Sequence, residues 1–506
     1  MLKWIDKCID RITMYRLVLY YLIVVVTAAV GLAVAGRLSY EPLAILLSAS
    51  YLVVAAWLSE KVFSAIYHIP ANIESSLITG LILSLLITPQ DSLEGILFLT
   101  AASVLAIASK YILTWRGKHI FNPAAVAVLL TSWGPQQSAS WWVGTTVLLP
   151  VVVIGGILII RKIRRVQMVA VFFAVAIAMT AWISFSHHSD PVSSVQKIVL
   201  HSSLFFLGFV MLTEPLTAPA THTKQLWYAA LVGLLFPPQV HIGNVYFAPE
   251  LGLVIGNMFA FVVSPMVRVQ VALTEKIKTG PASADYVFAL SKPLRYKPGQ
   301  YMEWTLAHQH ADRRGNRRTF TLASSPTEDT LRVGLKFYPN GSSYKKAMLP
   351  MEPGNEIAAG HLAGDFTLPA DPGQKLAFIA GGIGITPFRS MIKYLIDTNE
   401  QRDVALIYSE KQPDAFIYQD VFTEAQHKLG SKIIYSITDL GYVPDGWQGQ
   451  AGIITDTIIR TELPDYTQRM FYISGPHEMV VATRKILRTM GVSSHHIKTD
   501  HFSGYA

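Results

Sequence analysis

Long apolar stretches, separated by short polar breaks, fill the first half of the chain. Most are close to the ~20 residues that a membrane-spanning helix needs. Three of them, at 74–88, 119–133 and 226–240, are shorter and can be broken or re-entrant helices. The pattern predicts ten spans, a count left open by one or two. The stretches lie at about residues 17–36, 42–58, 74–88, 93–112, 119–133, 143–160, 166–184, 198–213, 226–240 and 248–266.

After residue 267 the pattern changes to short strands in which apolar and polar residues alternate. YKPGQYMEW (Tyr296–Trp304) and RRTFTLASSP (Arg317–Pro326) predict a small antiparallel β-barrel. Further along, VALIYSEK (Val404–Lys411) and RMFYISGPHEM (Arg469–Met479) are buried strands between helical segments, and they predict a doubly wound parallel sheet. The expected domains are 1–267 in the membrane, 268–372 as the barrel and 373–506 as the α/β domain.

The charged residues divide the chain at the same place. Residues 17–266 contain 19 charged side chains, whereas residues 267–506 contain 51. The chain therefore combines a lipid-embedded half with a water-soluble half, and a purely soluble enzyme is excluded. The net charge of +8 is not concentrated in any segment, so nucleic acid is not an implied partner. The single cysteine, Cys8, excludes a disulfide framework, a Cys-ligated iron–sulfur cluster and a Cys-rich zinc site, and no metal site is expected.

Lys and Arg fall mainly on one side of the ten-span arrangement. With the N-terminus inside, fourteen of them lie on the inner side and two, Arg37 and Lys197, on the outer side. This positive-inside bias places the domains after residue 267 in the cytoplasm, and the protein in the cell (inner) membrane as a multi-pass protein. We read no removable signal peptide at the charged start, only a first span.

Ten spans also divide into five plus five. The third span ends in LLITP (Leu85–Pro89) and the eighth in MLTEP (Met211–Pro215). The charge assignment makes these two spans run in opposite directions, as an inverted repeat requires. A 5+5 inverted repeat is therefore expected, although such strings are common in membrane helices.

Three polar strings lie within the apolar half. SSLITGLILSLLITP (Ser75–Pro89) carries polar groups through a span, and GKHIFNPAAVAVLL (Gly117–Leu130) has Asn122 before a proline that opens a short helix. FVMLTEPLTAPAT (Phe209–Thr221) places a glutamate between two Thr-rich turns. Singly, each string can be a set of helix caps and proline breaks. Together they resemble the family of integral flavoproteins that contains the B subunit of the sodium-translocating NADH:quinone reductase and the D subunit of the Rnf complex. The Asp-Pro usual in that family at the third string is Glu-Pro here.

This resemblance covers roughly residues 17–266 and implies a membrane-bound flavin. Members of the family carry FMN esterified through its phosphate to a threonine in a Ser-Gly-Ala-Thr-like motif. VGTT (Val143–Thr146) stands at the matching place, so Thr146 is the candidate for covalent FMN, and a flavin transferase is an implied partner. The alternative is that Thr145 or Thr146 is an N-cap of the sixth helix.

The charge assignment puts Thr146 at the outer face, whereas a cytoplasmic FAD lies beyond the inner face. The hydrocarbon core between them is about 30 Å thick. One flavin at Thr146 cannot close this gap, so a further flavin or an equivalent carrier is expected nearer the inner face. Asn122, Thr213 and Thr217 are the candidates for its surroundings.

Within the predicted barrel, Arg318-Thr319-Phe320-Thr321 resembles the Arg-x-aromatic-Ser/Thr string of the ferredoxin–NADP reductase superfamily. Alternate side chains of a strand share a face, so Arg318 and Phe320 project together. Arg318 can then pair with a phosphate of FAD while Phe320 lies against the flavin ring. The Thr321 hydroxyl can approach the ring nitrogen that accepts hydride, which makes Thr321 a catalytic candidate.

Other residues are expected to contact FAD as well. Tyr301 lies in the strand before the flavin string. Gly341-Ser342-Ser343 precedes a short helix and resembles the superfamily's pyrophosphate-binding turn, in which backbone N–H groups at a helix start are free to bind phosphate. The end of the chain, DHFSGYA, resembles reductases whose terminal aromatic residue covers the flavin, so Phe502 is a second catalytic candidate.

A nicotinamide nucleotide is expected at the parallel sheet. KLAFIAGGIGITPF is a buried strand that runs into a Gly-rich turn and then a helix, at the distance from the flavin string that this superfamily uses. SGPHEM resembles its Cys-Gly-Pro-x-x-Met string, with Ser474 in place of the cysteine, and Ser474 is the third catalytic candidate. The residues assigned to NADH or NADPH are Gly381, Gly382, Gly384, Thr386, Pro387, Gly475, Pro476 and Met479.

The choice between NADH and NADPH stays open. An acidic residue after the Val404–Tyr408 strand would favour the free ribose of NADH, and a basic residue the 2′-phosphate of NADPH. The sequence offers Ser409, Glu410 and Lys411 there, so both charges are present.

These elements predict a membrane oxidoreductase. Flavin accepts two electrons as hydride and can release them singly. NAD(P)H would be oxidised at FAD, and electrons would cross the membrane half to a quinone or an extracytosolic flavin-carrying protein. One alternative is a haem-containing ferric reductase or NADPH oxidase, for which His188 and His201 have the usual spacing but no second pair exists. Another is a redox-driven ion pump, although the only membrane carboxylates singled out, Glu74, Glu214 and Glu250, lie near span ends.

Overall fold

The computed structural model of the chain describes residues 9, 12–67, 73–115, 118–133, 139–243, 245–264, 268–290, 294–308, 312, 316–339 and 341–501. The chain divides into two compact units, Met1–Met266 and Val267–Ala506.

The first unit is helical. Proline occupies the first position of four of its helices, where the missing N–H would have had no partner in any case. Its helices are α1 Met14–Val34, α2 Pro42–Tyr67, α3 Ile73–Leu86, α4 Leu93–Ile112, α5 Pro123–Trp133, α6 Leu149–Ile163, α7 Val166–Ser186, α8 Pro191–Leu200, α9 Leu204–Met211, α10 His222–Leu235 and α11 Pro249–Val263. Two short hairpins pair β1 Thr114–Trp115 with β2 Lys118–His119 and β3 His241–Ile242 with β4 Val245–Tyr246.

Each apolar stretch predicted from the sequence contains a helix, but the helices differ in length. Four of them, α1, α2, α4 and α7, are long and apolar enough to cross a membrane, and α8 with α9 forms a fifth candidate span bent by 59°. The other five helices have only 11 to 15 residues. At 1.5 Å per residue such helices are about 17–22 Å long, less than the ~30 Å hydrocarbon core. Over the described residues, length and composition alone therefore support five spans, not ten.

The helices of the two halves of this unit have corresponding neighbours. In the first half α1 lies against α3, α2 against α4, and α4 against α5; in the second half α6 lies against α9, α7 against α10, and α10 against α11. Between the halves, α1 contacts α6 and α5 contacts α11, which are equivalent helices. Structural repeats related by a pseudo-two-fold axis produce this pattern of contacts.

The last five residues of α9, Leu207–Met211, form a π-helix, which is the only π-helical segment in the described part of the chain. All five of these residues are buried. Short π-helical turns are rare and often occur at functional sites. This one ends two residues before Thr213.

The second unit begins with a six-stranded antiparallel sheet. Its strands are β5 Arg268–Gly280, β6 Ser283–Ala289, β7 Tyr301–Thr305, β8 Arg317–Thr321, β9 Thr330–Lys336 and β10 Glu356–Ala363. Their order across the sheet is β8-β7-β10-β5-β6-β9. Burial alternates along β7, so that Met302 and Trp304 point into the core while their neighbours are partly exposed. Trp304 packs on Phe288 at 5.0 Å between ring centroids, and this aromatic core fills the sheet. A short helix, α12 Ser343–Met348, lies between β9 and β10.

The rest of this unit is a parallel sheet with helices on both faces. The strands are β11 Leu376–Gly381, β12 Val404–Glu410, β13 Lys432–Ile437, β14 Gln450–Ala451, β15 Met470–Gly475 and β16 Ile497–His501, in the order β14-β13-β12-β11-β15-β16. The helices are α13 Thr386–Thr398, α14 Gln419–Leu429, α15 Asp456–Glu462 and α16 His477–Thr489. Alternate residues of β11 enter two separate hydrophobic cores, Phe378 on one face and Ile379 on the other. Both sheets agree with the fold predicted from the sequence.

Five polar side chains join the antiparallel sheet to the parallel sheet. Asp285, which is fully buried on β6, accepts a hydrogen bond from the Tyr418 hydroxyl at 2.6 Å and pairs with Arg332 at 3.1 Å. Arg389, on α13, makes a two-pronged ion pair with Glu328 at 2.8 and 3.0 Å. Burial acts to raise the pKa of Glu328, but the hydrogen bonds and charge of Arg389 lower it below its ordinary value of 4.5. Glu328 therefore stabilises the fold as a carboxylate.

We expect Glu328→Gln to destabilise the segment 268–506, produced alone, by on the order of 3 kcal/mol at pH 7, because it leaves the Arg389 charge buried without its partner. Since the pKa of Glu328 is lowered by folding, its contribution is complete above pH 4.5 and is lost as the pH falls through the folded-state value. Urea unfolding at neutral and acidic pH measures this.

The matched control is Glu424→Gln, which removes an exposed ion pair with Lys428 and should change stability little. A difference between wild type and Glu328→Gln that is as large in acid as at pH 7 would contradict the assignment.

Candidate functional site

Arg318 and the start of α12 surround one negative charge. A guanidinium nitrogen of Arg318 lies 2.9 and 3.1 Å from the two carboxylate oxygens of Asp312. The same carboxylate accepts a hydrogen bond from the backbone N–H of Ser343 at 3.2 Å, and the Asp312 N–H donates to the Ser343 hydroxyl at 2.9 Å. The side chain of Ser342 caps the helix. The Asp312 carboxylate thus stands in for an anion held by a guanidinium and a helix start, which is the donor set that binds phosphate.

An aromatic surface lies beside this anion site. The Arg318 guanidinium lies 5.3 Å from the centroid of the Tyr344 ring, and the Phe320 ring lies 5.8 Å from the same ring. Arg318 and Phe320 are therefore on one face of β8. Tyr344 is buried and its hydroxyl has no hydrogen-bond partner among the described residues. The sequence analysis did not single out Asp312 or Tyr344, since neither belongs to the flavin string.

Two buried hydroxyl groups in this unit have no hydrogen-bond partner within the described part of the chain. They belong to Thr321, which is 3% exposed at the end of β8, and to Ser474, which is 0% exposed near the end of β15. Tyr301 pairs with Thr321 across the strands β7 and β8. A buried polar group without a partner costs free energy, so each hydroxyl is expected to receive its partner from a bound molecule. The residues present therefore fit FAD and a nicotinamide nucleotide.

The Gly-rich turn after β11 is shaped by close backbone contacts. A Cβ atom added to Gly384 would lie 2.5 Å from the carbonyl carbon of Ser474, and one added to Gly381 would lie 2.4 Å from Sδ of Met479. Gly382 has a φ of +57°, which side chains disfavour. The two strings predicted to bind the nicotinamide nucleotide thus meet at the carboxyl ends of β11 and β15. The other predicted members of this group, Thr386, Pro387, Gly475 and Pro476, flank the same strand ends.

An ion pair borders this turn. Lys336 Nζ, at the end of β9, lies 3.0 Å from a carboxylate oxygen of Glu410, and both groups are 3.8 Å from the Cβ position of Gly382. Burial raises the pKa of Glu410, while the charge of Lys336 acts to lower it. Since Lys336 balances Glu410, the acid at the end of β12 is not a free carboxylate. Lys336 was missed because no sequence pattern connects it to Glu410, and Phe502, which was predicted to cover the flavin, lies outside the described residues.

In the first unit, the predicted polar strings meet around Glu214. Its carboxylate accepts hydrogen bonds from the Asn122 side-chain amide at 2.9 Å and from the Thr217 hydroxyl at 3.1 Å. His119 lies 3.5 Å from its other oxygen. Thr213 is fully buried next to it, and its carbonyl oxygen accepts from Arg165 at 3.1 Å. Asn122, Thr213 and Thr217 therefore lie in one cluster.

A shallow groove adjoins this cluster. Its lining includes His119, Thr217, Trp115 and Phe261. His119 and Arg165 were not named from the sequence, because each is separated from Glu214 by about 50 to 95 residues and belongs to a turn without a recognisable motif.

A second charged pair is buried in this unit, contrary to the expectation that the membrane carboxylates lie only near the three named positions. Lys110 Nζ is 3.9 Å from a carboxylate oxygen of Glu60, with side-chain exposures of 8% and 5%. The Tyr111 hydroxyl donates to Glu60 at 3.0 Å, and Lys110 also donates to Ser75. Hydropathy missed Glu60 because it lies inside a long apolar helix.

Thr146 lies in the exposed segment before α6. Its hydroxyl is 2.9 Å from the carbonyl oxygen of Leu200 and 3.0 Å from Nδ1 of His201. By contrast, the Thr145 hydroxyl is buried and has no partner among the described residues. Neither threonine is an N-cap, since Leu148 occupies that position of α6 without a side-chain cap. Thr146 is thus the accessible hydroxyl of the VGTT string, and this fits an attachment site better than Thr145 does.

The histidines considered for haem do not form a pair on a helix. His188 lies in an exposed turn after α7, and His201 follows the end of α8.

The fold and the site geometry of the second unit define a two-domain flavin reductase of the ferredoxin–NADP reductase class. Residues 378–485 match the oxidoreductase NAD-binding domain, and residues 140–272 match the NQR2, RnfD, RnfE family. The chain is therefore a fusion of a membrane flavoprotein-family domain with a reductase domain.

Curated relatives match less than half of the chain. A glycine betaine monooxygenase reductase subunit of Chromohalobacter salexigens is 24% identical over 43% of this chain and 59% of the relative, and a flavohemoprotein of Rhodopirellula baltica is 28% identical over 41% and 53%. The chain spans about half the length of these two relatives. The crystal structure of Amycolatopsis cytochrome P450 reductase GcoB is similar over 47% of this chain and 72% of that one, with 22% identity and a TM-score of 0.43.

We expect Asp312→Asn to strengthen FAD binding several-fold in the segment 268–506, because the carboxylate competes with a phosphate for Arg318 and Ser343. Arg318→Ala should weaken it by about 30-fold, the loss of a hydrogen bond to a charged group. Quenching of flavin fluorescence in a titration of FAD-free protein measures both.

The matched control is Arg317→Ala, the neighbouring arginine, which pairs with Glu303 instead and should leave the affinity close to that of wild type. Weaker FAD binding in Asp312→Asn would contradict the stand-in role of Asp312.

Proposed function

We propose that the protein is a membrane oxidoreductase that takes electrons from cytoplasmic NADH or NADPH at FAD and passes them through flavin in the membrane unit. The acceptor is a quinone or an extracytosolic flavin-carrying protein. The observation that carries this proposal is the anion site formed by Arg318 and Ser343, next to a buried Thr321 hydroxyl without a partner in the described residues. Phosphate and flavin ring thereby have adjacent positions on one strand, β8.

The contacts of the membrane unit support the orientation that the positive charges indicate. Residues assigned to the inner side contact each other, as in the ion pair of Arg16 with Glu74 at 2.7 Å. Residues assigned to the outer side do so as well, as in the hydrogen bond from the Trp141 indole to Glu250 at 2.9 Å. A chain that crosses at each predicted stretch brings these ends together. The Val267–Ala506 unit is then cytoplasmic and the Thr146 segment faces outward.

A further flavin near the inner face is part of this proposal. Thr146 and the cytoplasmic FAD are separated by the thickness of the bilayer, so electrons need an intermediate carrier. The cluster of Asn122, Glu214 and Thr217 provides amide, carboxylate and hydroxyl groups beside a groove with aromatic walls. These groups can hydrogen-bond the polar edge of a flavin ring.

A redox-driven ion pump is the second candidate, and the buried Glu60–Lys110 pair is the observation that favours it. Ionisable side chains within a membrane unit commonly mark ion or proton pathways. Turnover that depends on sodium or collapses a pH gradient in liposomes, and that is uncoupled by Glu60→Gln, would support pumping. Turnover independent of both would leave electron transfer alone.

We expect one flavin to resist acid extraction and to disappear in Thr146→Ala, because attachment needs the hydroxyl. Thr145→Ala is the matched control and should keep the flavin, since the Thr145 hydroxyl is buried. Mass spectrometry of the Trp141–Arg161 peptide, from cells that contain a flavin transferase, is the measurement. The acid-extractable flavin should exceed one equivalent. An unmodified wild-type peptide would refute covalent attachment, and FMN on Thr145 would shift it by one residue.

Orientation has its own test. After Cys8→Ser, single cysteines at Ser189 and at Arg164 should react with a membrane-impermeant maleimide from opposite sides of intact cells, Ser189 from outside. Both positions are exposed, so reactivity reports sidedness and not burial. External labelling at Arg164 equal to that at Ser189 would be incompatible with a cytoplasmic reductase.

A further inference from the structure

The Thr146 hydroxyl has two neighbours but only one hydrogen. The Leu200 carbonyl oxygen, at 2.9 Å, can only accept a hydrogen bond. Nδ1 of His201, at 3.0 Å, can accept or donate, depending on which ring nitrogen carries the hydrogen. Both contacts are satisfied together in one arrangement: Thr146 donates to Leu200, and His201 donates from Nδ1 to the Thr146 oxygen.

Attachment of a phosphate would change these two contacts in opposite ways. The ester oxygen has no hydrogen, so it would face the Leu200 carbonyl as one acceptor against another. The Nδ1–H of His201 would keep its acceptor, and it gains the charged oxygens of the phosphodiester as alternatives, which form stronger hydrogen bonds than neutral groups do. His201 is thus the one contact of Thr146 that attachment preserves.

The backbone holds His201 in this position. A Cβ atom on Gly144 would lie 2.5 Å from the carbonyl carbon of Ser202, so the VGTT string and the turn after α8 lie against each other with no room for a side chain. The Ser202 hydroxyl bonds the Ile198 carbonyl and accepts from the Leu204 N–H at 3.2 Å. This turn is therefore fixed on both sides of His201. The glycine of the string serves this close approach.

We propose that His201 is the positioning residue of the flavin attachment site, donating from Nδ1 to the Thr146 oxygen before attachment and to the phosphodiester afterwards. This inference rests on the proposed attachment at Thr146. In that reaction the bond between the Thr146 oxygen and phosphorus forms, the pyrophosphate bond of FAD breaks, and AMP leaves. The hydroxyl proton passes to a base of the flavin transferase. No electrons are transferred, and His201 keeps its own proton.

The test compares His201→Leu with His201→Asn in the full-length protein, purified without flavin at Thr146 and then given FAD and flavin transferase. The amide nitrogen of asparagine is as many bonds from Cβ as Nδ1 of histidine and donates but does not take up a proton. We expect the initial rate of FMN addition, measured on the Trp141–Arg161 peptide by mass spectrometry, to fall about tenfold in His201→Leu. It should stay within about threefold of wild type in His201→Asn.

His187→Leu is the matched control, since His187 is an exposed histidine at the end of α7 outside these contacts, and it should load at the wild-type rate. Gel filtration and thermal unfolding establish that each variant is folded. A wild-type rate in His201→Leu would overturn the inference. So would a rate in His201→Asn as low as in His201→Leu, since the imidazole would then act by more than donation. An unmodified wild-type peptide would instead refute the proposed attachment itself.

Discussion

The membrane unit depends on the need to satisfy helix ends inside a bilayer. Five of its helices are about 17–22 Å long, so their ends fall within a hydrocarbon core of about 30 Å. Free N–H and C=O groups there cannot turn to water and must find partners in the protein. Asn122 and Glu214 meet at one such place, and Trp141 and Glu250 at another. The polar clusters that can serve redox chemistry are therefore also what allows short helices to exist.

In the second unit, charge is arranged by the same principle of internal partners. Asp312 supplies a negative group to Arg318, and Glu410 supplies one to Lys336. Each pair lies where a negatively charged cofactor would bind, one at the start of α12 and one beside the turn after β11. The unit is thus stable without its cofactors. Binding then becomes an exchange of one anion for another, which costs less than creating an empty positive site.

Local patterns explain which features the sequence could predict. The alternation of β8 puts Arg318 and Phe320 on one face, and strand, glycines and helix follow each other around Gly384, so these needed only neighbouring residues. The ten apolar stretches gave the positions of the helices but not their lengths, because hydropathy does not register where a proline or a polar turn ends a helix. Contacts such as Thr146 with His201 join residues 55 positions apart and left no periodicity to recognise.

The π-helical turn at Leu207–Met211 makes the chain unusually sensitive to length at one point. A π-turn accommodates one residue more than an α-turn at nearly the same axial advance. Loss of one residue there would restore regular α-helix and turn everything that follows by about 100° relative to the preceding helix. Glu214 would then point away from Asn122, even though no residue of the cluster had changed. Insertions and deletions in this short segment are thus constrained by the register of a carboxylate, not by packing alone.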